Sequence, residues 1–171
     1  MRIAIIGNSG SGKTTLARQL AREHELDMLD LDTVAWESGK IAVPREPQQA
    51  LAQVRAFCTA TPRWVVEGCY AGLTQAALAE AELLLFLEPG AAACRANCHS
   101  RPWEPHKFRS PQEQDRHFDR LLDWVDGYYA RGGDASLREH QALFDAFGGR
   151  KKKLAQRVHA ADIAGMCLQP I

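Results

Sequence analysis

Eight residues near the start of the chain, Gly7 to Thr14, match the pattern G-x-x-x-x-G-K-T. The apolar run 3–6 precedes them and a segment of helical periodicity follows, so the pattern lies between a predicted strand and a predicted helix. Glycines let such a loop turn its backbone N–H groups inward, toward phosphate oxygens. The pattern therefore predicts a phosphate-binding loop. The predicted nucleotide-binding residues are Gly7, Asn8, Ser9, Gly10, Ser11, Gly12, Lys13, Thr14 and Thr15.

Two side chains of this loop have specific expected roles. Lys13 would reach the β- and γ-phosphates, and the hydroxyl of Thr14 would ligate Mg²⁺. A helix beginning at Lys13 would add its positive N-terminal end. We therefore expect a nucleoside triphosphate, ATP or GTP, with magnesium; no N-K-x-D motif that would read the base occurs. ATP and Mg²⁺ are the predicted cofactors.

Length and charge restrict the class of protein. The 171 residues predict a single domain over 1–171, and 21 basic residues balance 21 acidic ones. Zero net charge argues against a general electrostatic hold on nucleic acid or an anionic membrane. No stretch of about 18 apolar residues occurs, and the first strand begins almost at Met1, so we expect neither a membrane span nor a signal peptide. A cytoplasmic protein with a small-molecule partner is the expectation; the sequence does not determine its oligomeric state.

Strand patterns alternate with helical patterns along the first hundred residues. This alternation predicts an α/β fold, a three-layer α/β/α sandwich around a parallel sheet that we expect to have five strands. The predicted strands are 2–6, 26–31, 64–67 and 83–87, with a weak fifth at 158–163. The predicted helices are 13–24, 46–59, 73–80, 91–100, 112–130 and 136–147. The basic run 150–153 is interpreted as the start of a surface helix rather than a nucleic-acid patch.

Carboxylates follow three of the predicted strands, where ligands of such sheets bind. Asp30 and Asp32 end the second strand, Glu67 the third and Glu88 the fourth. A phosphotransferase needs one acid near the metal and one group that positions or deprotonates the acceptor. We favour Asp30 for the metal and Asp32 for the acceptor, with Glu67 as the second metal candidate. The alternative is that one aspartate only caps a helix or turns the chain.

A segment rich in proline and basic residues, near 95–112, predicts a lid or flap. Arg95, Arg101 and Arg109 are its catalytic candidates, because cations placed on the transferring phosphoryl group stabilise the transition state. Arg116 and Arg120 follow on the next helix. For each arginine alone, solvated surface charge is the alternative. Trp36, Trp103 and Phe108 could form an apolar wall for the acceptor or pack in the ordinary way.

Five cysteines occur, and none forms a C-x-x-C pair. Cys94 and Cys98 lie near His99 and His106, which raises the question of a zinc site. The spacing is not that of two separated ligand pairs, so small buried core residues are the favoured interpretation of the two cysteines.

The stretch from Ile3 to Ala17 resembles the start of small bacterial kinases of the adenylate-kinase and shikimate-kinase superfamily. Within it the chain is most similar to P-loop proteins labelled adenylate-kinase-like or topology-modulation proteins. Three further motifs carry the resemblance, which is good over about 1–100 and loose beyond. They are Leu31-Asp32 followed by Trp36, the string Trp64 to Tyr70 ending acid-Gly-x-Tyr, and Leu85 to Pro89 ending acid-x-Pro.

The resemblance implies a strand order 2-3-1-4-5 and a function. The implied function is transfer of the ATP γ-phosphate to a nucleotide, a nucleoside or a hydroxyl metabolite. Two departures stand out: Glu67 replaces the more common Asp, and the lid is short and proline-rich. A regulatory P-loop protein that hydrolyses ATP and acts through a macromolecular partner is the alternative. A degenerate loop is disfavoured because Lys13 and Thr14 are both intact.

Overall fold

A computed structural model describes residues 1–37, 43–103 and 109–156, together with Ala160 and Ile163. Its sheet has five parallel strands in the order β2-β3-β1-β4-β5. The strands are β1 Arg2–Gly7, β2 Asp27–Asp30, β3 Trp64–Gly68, β4 Leu83–Leu87 and β5 Arg150–Leu154. The helices are α1 Lys13–His24, α2 Asp32–Ala35, α3 Pro47–Ala60, α4 Ala71–Leu78, α5 Ala91–His99, α6 Pro111–Arg116, α7 Phe118–Gly127 and α8 Leu137–Ala146.

Alternation along the central strand β1 builds the core on both faces of the sheet. Ile3 and Ile5 pack with residues of α1 on one face, and Ala4 and Ile6 pack with α4 and α8 on the other. All four side chains are fully buried. A strand buried on both faces reads as a continuous apolar run, which is why 3–6 was recognisable in the sequence. The predicted α/β/α sandwich and the order 2-3-1-4-5 are confirmed.

The basic run at 150–153 is an edge strand, so its interpretation as the start of a surface helix was wrong. Lys151 and Lys153 point to α8: Lys151 Nζ donates to three carbonyl oxygens at the end of that helix, and Lys153 Nζ donates to Gln141 Oε1 at 2.9 Å. Leu154 packs into the core on the α1 face. Lysines on an edge strand also discourage pairing with another sheet.

The weak prediction of a fifth strand at 158–163 falls mainly outside the described residues. Of that segment, Ala160 and Ile163 are described, and both are buried in the core beside α1. The fifth strand of the sheet is β5 instead, with Leu83 of β4 paired to Arg150 and Leu87 to Leu154.

The predicted helix 112–130 is two helices. Pro111 begins α6, whose N-terminus is capped by the Ser110 hydroxyl accepting from Glu113 N at 3.1 Å. The helix is interrupted at His117, and the chain continues as α7. The apolar pattern spans the break, so periodicity alone could not reveal it. None of the helices in the described ranges is long and apolar enough to cross a membrane.

Replacing Lys151 with Ala should lower the free energy of unfolding by about 1 kcal/mol. The ammonium group binds the carbonyls of Phe144, Asp145 and Phe147, each at 2.8 Å, and so satisfies groups that the end of α8 leaves without helical partners. Lys152→Ala is the matched control, since this neighbour is exposed and should change stability by less than about 0.5 kcal/mol. Urea unfolding measures both. Equal effects of the two substitutions would contradict the capping role.

Candidate functional site

The predicted phosphate loop connects β1 to α1 and packs closely on later parts of the chain. Gly10 has φ +76°, and a Cβ atom there would lie 2.3 Å from the carbonyl oxygen of Cys94 in α5. A Cβ at Gly7 would lie 2.3 Å from the carbonyl oxygen of Leu87, at the end of β4. These glycines are therefore required by close backbone approach as well as by conformation.

Two amide side chains hold the loop in place. Asn8 Oδ1 accepts from Ser9 N at 2.8 Å, while Asn8 Nδ2 donates to the carbonyl of Val125 in α7 at 2.9 Å. Asn97, on α5, donates through Nδ2 to the carbonyl of Gly10 at 2.8 Å. The second half of the chain therefore sets the shape of a loop whose motif lies within the first fourteen residues.

The two side chains with predicted roles are already oriented by hydrogen bonds. Lys13 is buried, and its Nζ donates to the carbonyl of Asn8 at 2.9 Å, so the ammonium group curls back over the loop. Thr14 Oγ1 donates to Glu67 Oε1 at 2.7 Å. The buried hydroxyl oxygen of Ser11 has no hydrogen-bond partner within the described part of the chain.

A cavity of about 650 Å³ lies over the loop. Of the predicted nucleotide-binding residues, Ser9 to Thr15 line it, whereas Gly7 and Asn8 do not. The three predicted acids also line it: Asp30, Asp32 and Glu67. The sheet thus brings the loop and the strand-end carboxylates to one edge, as the rule for parallel sheets predicts.

Glu67 is a buried acid of the site with a shifted pKa. It is only 2% exposed, and burial raises the pKa of its carboxyl to about 7. The Lys13 ammonium and the Thr14 hydrogen bond oppose this rise, whereas the charges of Asp30 and Asp32 add to it. A cation placed beside a carboxyl group that is buried among like charges stabilises its ionised form.

Asp30 and Asp32 have different surroundings. Asp30 Oδ1 accepts from the backbone N–H of Asp32 at 2.9 Å, so it turns the chain into α2, a short helix absent from the predicted elements. Asp32 Oδ1 accepts from the Tyr70 hydroxyl at 2.7 Å, and that hydroxyl accepts from Trp36 Nε1 at 2.8 Å. Tyr70 and Trp36 thus orient Asp32, a role that their sequence positions alone did not reveal.

A second cavity, of about 760 Å³, lies beside the first. Ser9, Asp32, Cys69 and Arg101 line both cavities. The walls of the second cavity are largely aromatic and aliphatic, from Trp36, Tyr70, Phe118, Leu121 and Trp124. Its charged lining is Asp32, Asp134, Arg101, Arg120 and Arg131. A mostly apolar cavity with a few converging polar groups is typical of a small-molecule site.

The structure separates the candidate arginines. Arg101 lines both cavities. Arg95 forms an exposed ion pair with Asp126 and lines neither cavity. Arg109 is exposed, also lines neither, and its backbone N–H donates to Glu113 Oε2 at 2.6 Å. Arg131, which follows α7, was not singled out by the sequence because it lies outside the proline-rich segment.

The structure also shows where the candidate aromatic residues and Glu88 lie. Trp36 lines the second cavity and Trp103 the first, while Phe108 and His106 lie outside the described residues. Glu88 accepts from the Tyr129 hydroxyl at 2.9 Å.

The two cysteines considered for zinc are core residues. Cys94 and Cys98 are buried against Leu122 and Val125 of α7. Within the described ranges, no group of three or more potential metal ligands comes together among His, Cys, Asp and Glu.

A buried histidine joins α8 to the end of β3. His140 Nε2 lies 2.9 Å from the carbonyl oxygen of Cys69, which can only accept, so Nε2 carries the proton and Nδ1 accepts from the Tyr128 hydroxyl at 2.7 Å. Burial lowers the pKa of His140 to about 4. The imidazole is therefore neutral near pH 7 and fixes the residue that precedes Tyr70.

Gly10→Ala should destabilise the protein by more than about 3 kcal/mol, because the new Cβ would clash with the Cys94 carbonyl in addition to the strain of positive φ. Gly133→Ala is the matched control: Gly133 has φ +86° but nothing lies within 4 Å of its Cβ position, so only the conformational cost of about 1 to 2 kcal/mol applies. Denaturant unfolding compares them. Equal losses would mean that the loop can move away from α5.

The stabilisation that His140 provides should depend on pH. Its pKa is lower in the folded state, so its contribution is complete above about pH 6.5 and is lost as pH falls toward 4. The shift corresponds to a contribution on the order of 3 kcal/mol. The raised pKa of Glu67 acts in the opposite direction between pH 4.5 and 7, since its contribution is lost as pH rises.

The measurement is therefore the difference in unfolding free energy between the wild type and His140→Gln, followed from pH 7.5 to pH 4.5 by urea denaturation. We expect this difference to shrink as pH falls. A difference independent of pH would rule out a neutral imidazole as the stabilising group.

Comparison with known proteins gives a match over part of the chain. A family model described as an AAA domain matches residues 3–83, a little under half of the chain. Comparison with curated proteins finds no match.

Solved structures similar to this chain include three kinases. A sugar kinase from Janibacter sp. has 15% identity and a TM-score of 0.48, covering 97% of this chain and 91% of its own. A shikimate kinase from Acinetobacter baumannii has 17% identity and a TM-score of 0.49, covering 98% and 90%. A gluconokinase from Sinorhizobium meliloti has 17% identity and a TM-score of 0.48, covering 97% and 88%. Similarity at this level carries no argument about the fold or the activity of this chain.

The loop between β1 and α1, the strand order and the partial domain match agree with the resemblance that the sequence motif indicates.

Proposed function

We propose that this protein is an ATP-dependent phosphotransferase that moves the γ-phosphate to a small acceptor bound in the second cavity. The observation that carries the proposal is the position of Asp32, which lines both cavities. A nucleotide over the phosphate loop and an acceptor between the aromatic walls would both face this carboxylate. Such an arrangement aligns two reactants, which is the main task in phosphoryl transfer.

Magnesium fits the oxygen donors at the loop. The hydroxyl of Thr14 and the carboxylates of Glu67 and Asp30 are hard ligands, of the kind that Mg²⁺ takes directly or through water. When bound, the ion would neutralise charge on the phosphates. Thr14 and Glu67 are already joined by a hydrogen bond, so they form a ready pair of donors at this place.

The residues of the chain divide the remaining tasks. Lys13 and the backbone N–H groups of the loop would stabilise charge on the transferring phosphoryl group. Asp32 would orient the acceptor hydroxyl and take its proton, and Tyr70 would hold the carboxylate in position through the bond to Oδ1. Arg101, which lines both cavities, is the arginine that best fits a place over the phosphates. The roles of Arg95 and Arg109 stay predictions without a cavity contact to support them.

An acceptor screen tests the proposal. The protein would be incubated with Mg-ATP and a panel of nucleosides, nucleoside monophosphates, sugars and hydroxy acids, and ADP release would be followed. We expect at least one class to stimulate ADP release. Lys13→Ala should reduce the stimulated rate by at least about 100-fold, because it removes a charge from the transition state. Lys152→Ala is the matched control, because the Lys152 side chain on β5 is exposed, and it should leave the rate unchanged.

Asp32→Asn separates acceptor chemistry from nucleotide binding. It should lower the stimulated rate while leaving ATP binding nearly intact. ADP release that no small acceptor raises, but that a macromolecule does, would overturn the kinase proposal in favour of a regulatory P-loop ATPase.

A further inference from the structure

Arg131 lines the second cavity, and its described contacts are aromatic rings and backbone carbonyls. Arg131 is half-buried, and its guanidinium centre lies 3.6 Å from the centroid of the Trp124 ring. Its Nε donates to the carbonyl of Ala135 at 2.7 Å, and a second N–H donates to the carbonyl of Trp124. Among the described residues, no carboxylate lies within ion-pair distance of it.

These contacts fix the guanidinium without neutralising it. A guanidinium has five N–H groups, of which the two backbone carbonyls use only two. Burial also lowers the pKa of Arg131, which reflects the cost of holding this charge out of water. The remaining N–H groups of this planar guanidinium are oriented by the stacking on Trp124. Such a group can donate parallel hydrogen bonds to an oxyanion.

The acids of the cavity do not fill this role. Asp134 Oδ1 accepts from the backbone N–H of Gly72 at the start of α4, at 2.6 Å. Asp32 Oδ1 accepts from Tyr70. The two carboxylates in the described lining therefore already accept hydrogen bonds from other groups, and the positive charge of Arg131 favours a negatively charged ligand.

The walls indicate what the rest of the ligand looks like. Trp36 and Trp124 are 38% and 44% exposed, although large aromatic side chains are usually more deeply buried. With Tyr70 and Phe118 they give the cavity a largely aromatic lining. Flat rings stack on such surfaces, whereas a polyol would lose hydrogen bonds to water there without replacement.

We infer that the second cavity binds a flat, aromatic acceptor that carries an oxyanion, with Arg131 as the residue that binds the anionic group. That the bound molecule accepts a phosphoryl group rests on the proposed function. That the cavity binds such a molecule does not. In the transfer step, the acceptor hydroxyl oxygen forms a bond to the γ-phosphorus while the bond from that phosphorus to the β,γ-bridging oxygen breaks. ADP leaves with that electron pair, and the hydroxyl proton passes to Asp32.

Binding to the wild-type protein, without nucleotide, provides the first test. Isothermal titration calorimetry would compare naphthoate with its neutral amide, naphthamide, which has nearly the same shape. Naphthyl phosphate and gluconate complete the set, the first to separate phosphate from carboxylate and the second as a non-aromatic anion. We expect naphthoate or naphthyl phosphate to bind at least about 10-fold more tightly than naphthamide. The tighter of the two identifies the anionic group.

Two variants then assign the anion to one residue. Arg131→Gln should remove the preference for the charged ligand, while Arg138→Gln should keep it, since Arg138 is 76% exposed and pairs with its neighbour Glu139. Arg131→Lys, which keeps the charge, guards against a merely unfolded variant and should retain part of the preference. The unfolding midpoint of each variant is measured alongside.

Three results would overturn the inference: equal affinity for naphthoate and naphthamide, gluconate binding as tightly as naphthoate, or a preference that survives Arg131→Gln. The last would assign the anion to another arginine. Because calorimetry needs no phosphoryl transfer, an acceptor screen in which no small molecule raises ADP release would overturn the kinase proposal and leave the binding inference standing.

Discussion

The hydrogen bond from the Asn8 side chain to the carbonyl of Val125 connects the start of the site to its far end. One partner lies inside the phosphate loop and the other on α7, 117 residues later. Together with the bond from Asn97 to Gly10, it fixes the loop between β1 and the pair of helices α5 and α7. Both cavities have walls from this contact region, so their shapes depend on it.

Much of the fold was predictable because its signals are local. Runs such as 3–6 and 83–87 are buried on both faces of the sheet and therefore read as uninterrupted apolar strands. The basic run at 150–153 misled the prediction, since Lys151 and Lys153 bind a helix and Lys152 is exposed, so none of these lysines adds to an apolar strand pattern. Charge at an edge strand carries no strand signal, although edge strands favour it.

The site was predictable to the extent that strand ends mark it. The loop residues and the three acids lie at one edge because parallel strands end there. The sequence suggested Trp36 for an apolar wall, but the other aromatic walls of the second cavity were not foreseen, since they come from the turn before α4 and from α7, which meet only in the folded chain. Arg131 gave no signal either, because an arginine after a helix usually faces solvent. The proline-rich segment drew attention to Arg95 and Arg109, which the fold directs elsewhere.

The hydrogen bond between Asn8 and α7 has a consequence for how the site assembles. The residues of the matched domain, 3–83, include the whole phosphate-loop motif but neither of the helices that hold it. A chain emerging from the ribosome would contain the motif long before α7 exists to receive the Asn8 amide. The nucleotide affinity that we propose should therefore be a property that the chain acquires late, when its last third docks. Substitutions in that third can alter the loop without touching any residue of the motif.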